Sequence, residues 1–366
     1  MNPQFQSKVY HSILPLLSKL PAHWQIHLAS WGRQQFMHNF NQYQPKNSII
    51  PQAKYGTKMW GIEFRAPLAN SAGMFKNGEG YDTVAALGAG AYIGGTSTAN
   101  PRTGNLKNGI ALPFIGLYDS KAAINFLGLP NLGDEVLSQI NITSNKIKGC
   151  PIGWSVMRSP DYDESEGLNK LIASLWLYHN HPQIDFIEIN ESCPNIKIGG
   201  GSIIPRLQII AQEFLGKRTR KLPVVVKLST DLTPEGLTPI LQELIRLKFD
   251  GINLGNTSID YTNIKPQLNS KDTQLFDYFT QNFGGGVSGL PLKNKSLELC
   301  AEASRLLSKL KPNHEFHIIR SGGIDCLADI EESRAHGISF NQWYTGFFNN
   351  YARDGDKVYS KLFSEA

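Results

Sequence analysis

The sequence has little of what would mark a disulfide-stapled, metal-bound or membrane-spanning protein. Its four cysteines, Cys150, Cys193, Cys300 and Cys326, lie far apart, with no CxxC pair and no regular spacing. Neither a disulfide framework nor a zinc site is built that way, so a reducing compartment is the default. His179 and His181, in LYHNHPQ, have no carboxylate or cysteine at ligand spacing, which favours a loop over a metal site. No metal is expected. No run of about 18 apolar residues is available to cross a bilayer, and the three-part pattern of a signal peptide is missing. Acidic residues are absent before Glu63, whereas Lys8, Lys19, Arg33, Lys46, Lys54 and Lys58 all precede it. No basic surface or added domain suited to RNA is found, so nucleic acid is not an expected partner.

What is present is ample for a large core: 366 residues, 41% of them apolar, with a modest formal charge of +5. Within the acid-free segment, Val9, Ile13, Leu14, Leu17 and Leu20 fall mostly at three- and four-residue steps. After Pro21, Trp24, Leu28 and Trp31 repeat the spacing. Two short amphipathic helices are predicted, forming an N-terminal extension over residues 1–45 ahead of a domain at 46–366. Two Trp, a Leu-rich face and only basic charges suit an anionic membrane surface; packing on the parent domain as a cap is the other reading. The expected location is cytoplasmic, with peripheral attachment to the inner membrane open.

From residue 66 onward, short apolar runs alternate with helical patterns. The runs are PLANSAG, AYIGGTST, PIGWSVM, FIEINES, PVVVKLS, GINLGNTS, HIIRSGG and FNQWYTG, and between them lie stretches such as LNKLIASLWLYHN and PEGLTPILQELIRLK. Strict alternation implies parallel strands joined by right-handed crossovers. Eight such units predict an α/β fold, a (β/α)8 TIM barrel, with a doubly wound open sheet as the alternative.

A barrel builds its site at the C-terminal strand ends, and there the sequence turns polar. The runs lead in order to Lys76; Thr96 and Thr98; Ser155; Asn190, Cys193 and Asn195; Lys227; Asn256 and Thr257; Gly322 and Gly323; and Tyr344 and Thr345. Singly, each could be a turn cap or a snorkelling lysine. All eight exits together read as a site. GGGVSG (284–289) fits GxGxxG by letter, but FDYFTQNF before it is a poor buried strand and Pro291 follows. A backbone-lined anion site suits it better than a dinucleotide fingerprint. RSGG and YTG stand where barrels commonly seat a phosphate, and GGGS (199–202) reads as a hinge or lid.

With NSAGMFKNGE, GTSTANPRTGN, INFLGLPNLG, INESCPN, VVVKLSTDLT, GNTS, GGGVSGLPL, SGGI and YTG in order, the chain resembles the dihydroorotate dehydrogenases. These flavoproteins oxidise dihydroorotate to orotate in pyrimidine synthesis. The resemblance implies a substrate pocket of Lys76, Asn125, Asn190, Asn195, Asn256 and Thr257, whose amides and ammonium match a carboxylate and a ring of C=O and N–H edges. It implies FMN held by Ala72, Gly73, Thr96, Ser155, Asn190, Lys227 and Gly255, and by Ser288, Gly289, Gly322, Gly323, Tyr344 and Thr345. Lys227 would stabilise the reduced ring's anion. Cys193 would be the general base, removing the C5 proton of dihydroorotate while a hydride leaves C6 for the flavin.

The match mixes two branches of that family. Cys193, Ser155 and GLPNLG resemble the soluble branch; the N-terminal helices, KNGE and GTSTANPRTGN resemble the quinone-reducing, membrane-associated branch. A quinone is the expected acceptor, with fumarate or another soluble acceptor as the alternative. Phe126 replaces an arginine frequent in the quinone branch and argues against a typical quinone tunnel. Arg320 replaces the usual glycine before SGG and puts the cofactor geometry there in question. A dihydrouridine synthase, a Schiff-base aldolase using Lys227 and a non-catalytic binding barrel are the remaining readings.

Overall fold

The computed structural model describes residues 2–46, 48–191 and 203–364. Eight parallel strands form its centre: β1 (Leu68–Asn70), β2 (Tyr92–Ser97), β3 (Ile152–Val156), β4 (Phe186–Asn190), β5 (Val224–Leu228), β6 (Gly251–Leu254), β7 (His317–Ser321) and β8 (Phe340–Trp343). Each falls within one of the eight runs read from the sequence. Seven neighbouring pairs are continuous, from β2 through β3 to β8 and on to β1. The last seam, β1 to β2, has only the Ala69–Ala91 bridge. There the Asn70 amide substitutes for a ladder, donating to Ile93 O at 2.8 Å and accepting from Ile93 N at 3.1 Å. The chain is therefore a nearly closed barrel of the TIM type, with helices around it and two more at the N-terminus.

Strand periodicity sorts the side chains. Ile187, Val226, Leu254, Ile318 and Trp343 face outward into the large core beneath the helices. Phe186, Val225, Ile319 and Phe340 face inward, where Met59, Trp60 and Phe64 of the hairpin Thr57–Met59 and Ile62–Phe64 meet them. Trp60 also donates its indole N–H to Asp250 O at 2.8 Å. This apolar plug closes the N-terminal mouth of the barrel and leaves the C-terminal mouth for polar side chains.

Helices α1 (Pro3–Leu17) and α2 (Ala22–Asn41) cover the two predicted stretches. Asn2 caps α1. Ile26, Ala29, Met37 and Phe40 on α2 are buried, the first two against an antiparallel sheet formed by Gly286–Gly289, Ala122–Asn125 and Phe114–Leu117. Phe40 continues into the barrel core, stacked on Phe75. GGGVSG thus enters an antiparallel strand after the helix α3 (Ser270–Asn282), the context a dinucleotide fingerprint would not have. Around β7 and β8 stand α4 (Lys293–Leu310), α5 (Leu327–Ala335) and α6 (Thr345–Asp354). The loop reading of His179 needs correction: it lies in the last turn of Glu164–Asn180, buried, with Nε2 3.0 Å from Thr219 Oγ1. His181 caps that helix and bonds Ile140 O at 2.9 Å.

Candidate active site

Above the plug, inward positions of five consecutive strands carry polar groups. Glu188 Oε1 stands 3.4 Å from Lys227 Nζ. Glu188 Oε2 accepts from Asn253 Nδ2 at 2.7 Å and Gln342 Nε2 at 2.9 Å. Ser321 Oγ donates toward Asn253 Oδ1 at 3.0 Å and Gln342 Oε1 at 3.2 Å, and Lys227 reaches Gln342 Oε1 at 3.3 Å. Glu188 and Lys227 are 1% and 3% exposed, so the pair loses hydration worth several kcal/mol per ion, and the surrounding amides are what offset it. Its effect is to fix the Lys227 ammonium at the floor of the mouth.

Two groups of residues sit on that floor. On one side Thr96 Oγ1 and Ser155 Oγ are 2.9 Å apart, Asn190 Nδ2 donates to Thr96 Oγ1 at 3.3 Å, and Asn256 Nδ2 donates to Asn190 Oδ1 at 3.2 Å. On the other a cleft is walled by Lys227, Ala72, Gly255, Asn256 and Thr257, by Ser288 and Gly289, and by Gly322, Gly323, Tyr344 and Thr345. Most of the residues singled out from the sequence therefore converge. Gly73, Lys76 and Asn125 are not in this wall: Gly73 N bonds Gly95 O at 2.6 Å, Lys76 is half-buried on the turn after β1, and Asn125 ends a sheet strand opposite Gly286. Cys193, Asn195 and the GGGS segment lie outside the described residues. Glu191, just before them, bonds Arg206 at 3.0 Å; burial nonetheless pushes its carboxyl above the ordinary range.

The cleft has the chemistry of an anion-bearing ligand. Thr257 Oγ1 is buried in its wall with no hydrogen-bond partner among the described residues, a state that native proteins rarely leave unfilled. At Gly323, φ is +74°, and a Cβ would stand 2.3 Å from Lys293 Cα, so only glycine lets this turn lie against the start of α4. Opposite it α6 begins at Thr345, presenting its first amides and the positive end of its dipole.

A second cavity lies between α1, α2 and the antiparallel sheet. Val9, Ile13, Ala29, Phe36, Phe114 and Phe348 give it an apolar wall, and Tyr344 and Thr345 border both cavities. Arg33 of α2 donates to Tyr344 Oη at 2.7 Å and lies 5.4 Å from the Phe114 ring centre. Phe126 does not line this cavity; Lys107 sits over its ring at 5.4 Å. Arg320 is fully buried and points outward, away from the cleft. Sequence reasoning missed Glu188, Asn253, Ser321 and Gln342, and had given Arg33 no role beyond charge.

Polar side chains gathered at the exits of a parallel barrel are the layout of a small-molecule enzyme. A family model described as dihydroorotate dehydrogenase matches residues 55–364. The dihydroorotate dehydrogenase (quinone) of Klebsiella pneumoniae (strain 342) is 30% identical over 295 residues, 78% of this chain and 81% of its own. That of Photobacterium profundum is 29% identical over 300 residues, 79% and 82%. Ligand-free DHODH from Eimeria tenella superposes with a TM-score of 0.74 at 21% identity, covering 92% of this chain and 93% of that one. The same protein in complex with ferulenol gives 0.70 at 20%, covering 92% and 89%. The chain belongs to the dihydroorotate dehydrogenase family and is an oxidoreductase.

Proposed function

We propose that this protein oxidises (S)-dihydroorotate to orotate in pyrimidine (UMP) biosynthesis, with FMN as cofactor and a quinone as electron acceptor. The observation that carries the reading is the meeting of two unlike cavities, one polar and one apolar, at Tyr344 and Thr345. FMN, when bound, supplies the acceptor for the hydride that leaves the substrate. The Gly322–Gly323 turn and the start of α6 fit a phosphate-bearing ligand, and Lys227 adds a fixed cation. Ala72, Gly73, Thr96, Ser155, Gly255, Ser288 and Gly289 complete the proposed cofactor set.

The substrate is assigned to Lys76, Asn125, Asn190, Asn195, Asn256 and Thr257. Asparagine amides offer a donor and an acceptor to each ring edge, and Lys76 balances the carboxylate. Cys193 takes the proton from C5; a thiol with an ordinary pKa of about 8.5 ionises far more readily than an alcohol.

The quinone is assigned to the apolar cavity, with Arg33 and Tyr344 as its polar end. Residues 1–45 serve as an attached element on a catalytic domain at 46–366. Phe5, Leu16, Trp24 and Trp31 are 55–66% exposed on it, its own sequence contains no acid, and no helix among the described residues is long and apolar enough to cross a membrane. That combination supports reversible attachment to an anionic bilayer. Purified protein should carry flavin that dihydroorotate bleaches anaerobically, and Cys193→Ala should slow that bleaching by about 100-fold or more while orotate still binds. A colourless protein that takes up no FMN contradicts the cofactor; normal bleaching by the alanine variant contradicts the base; fumarate outpacing quinone contradicts the acceptor.

A further inference from the structure

Arg320 has no solvent exposure, yet its guanidinium touches no carboxylate among the described residues. Nε donates to Ser296 Oγ at 3.0 Å, Nη1 to Ser333 Oγ at 2.9 Å and Asp329 O at 3.3 Å, and Nη2 to Lys293 O at 2.9 Å. All four acceptors are neutral. The Asp329 carboxylate is occupied by Lys293 Nζ at 2.5 Å and by the amides of Asp325 and Cys326 at 2.7 and 3.0 Å. Asp329 and Glu332 act on the guanidinium only through space, and burial pulls its pKa below the usual arginine value.

Those contacts tie the exit of β7 to the first turn of α4 and to α5. Ser296 Oγ, the acceptor of Nε, in turn donates to Gly322 O at 2.8 Å. One hydroxyl thus links the buried cation to the glycine turn that walls the cleft. A buried charge met only by neutral oxygens costs stability; Asp329 and Glu332 offset part of that cost through space, and the face of this turn opposite Arg320 is open to a ligand.

We propose that Arg320 is a positioning residue for an anionic ligand group: through Ser296 it sets the Gly322–Gly323 turn, and its charge makes the cleft prefer a phosphate monoester over the same molecule without phosphate. With FMN as the cofactor, a reading on which this inference rests, the preference is for FMN over riboflavin.

The test challenges flavin-loaded, full-length protein with excess riboflavin and measures how much FMN is displaced. Arg320→Gln should lower the FMN-to-riboflavin selectivity by about tenfold or more, the scale of one lost charge interaction, and Arg320→Lys should recover part of it. Equal weakening of both flavins, or an unchanged ratio, overturns the proposal. If the glutamine variant does not fold, Ser296→Ala must reduce the same ratio, and an unchanged ratio there overturns it as well. A wild-type protein that carries no flavin removes the FMN reading alone: inorganic phosphate must then still raise its melting temperature, and do so less in Arg320→Lys. Absence of that effect removes this inference too.

Discussion

The cleft at the strand exits and the cavity beneath α1 and α2 share Tyr344 and Thr345 but are held together by opposite means. The cleft rests on a buried polar network in which Glu188, Lys227, Asn253, Ser321 and Gln342 contact one another. The cavity is bounded largely by aliphatic and aromatic side chains from two helices and a small sheet, and a polar contact on its wall joins Arg33 to Tyr344. Rigid, prepaired groups suit a polar substrate whose atoms must be aligned. A roomy apolar space suits a lipophilic partner that is recognised by shape. Perturbing the first region should cost stability and chemistry together, whereas perturbing the second should alter one exchange and spare the fold.

The largest effect is expected at Lys227. Lys227→Met leaves Glu188 buried without its cation and should cost about 3–5 kcal/mol in urea unfolding. Adding Glu188→Gln should recover much of that loss. If the double variant is no more stable than the single one, the charge pair is not what organises the floor.

Acid should weaken the cleft side next. Burial pushes the Asp329 carboxyl up, but Lys293 and two backbone amides outweigh it and hold the pKa below the ordinary aspartate value. The charged form is therefore favoured in the folded state. Its contribution is complete above the ordinary pKa of about 3.9 and is lost as pH falls through the folded value. Urea midpoints of the wild type and Asp329→Asn should converge below about pH 4; a constant gap would contradict this.

The smallest effect belongs to the cavity side. A Cβ on Gly32 meets nothing within 4 Å, and Gly32 lies mid-helix in α2. Gly32→Ala should stabilise the protein by up to about 1 kcal/mol. Destabilisation would mean the helix is packed more tightly there than its open surroundings indicate.

Much of this was legible beforehand because buried parallel strands are short, β-branched and bounded by turns. All eight appear where their runs lie, and most polar residues at the exits line one mouth. Glu188, Asn253, Ser321 and Gln342 were not legible because each sits inside an apolar run, where one polar letter looks like noise. The hint was period two: Phe186, Glu188 and Asn190 share the inward face. The same alternation explains Arg320, whose neighbours Ile319 and Ser321 point inward, so the side chain expected to disturb the cofactor turns outward to α4 and α5. Arg33 could not be read, since its partner Tyr344 lies 311 positions away. Phe126, read from the sequence as arguing against a typical quinone tunnel, lies outside the lining of the apolar cavity.

The separation of the two cavities is tested most directly by Gly32→Phe, which puts a ring into the apolar space. In anaerobic stopped-flow, flavin reduction by dihydroorotate should keep its wild-type rate, while reoxidation by a short-chain quinone should slow by about tenfold or more, a barrier change near 1.4 kcal/mol. Equal loss in both half-reactions, or no loss in either, would contradict the assignment of the two exchanges to two cavities.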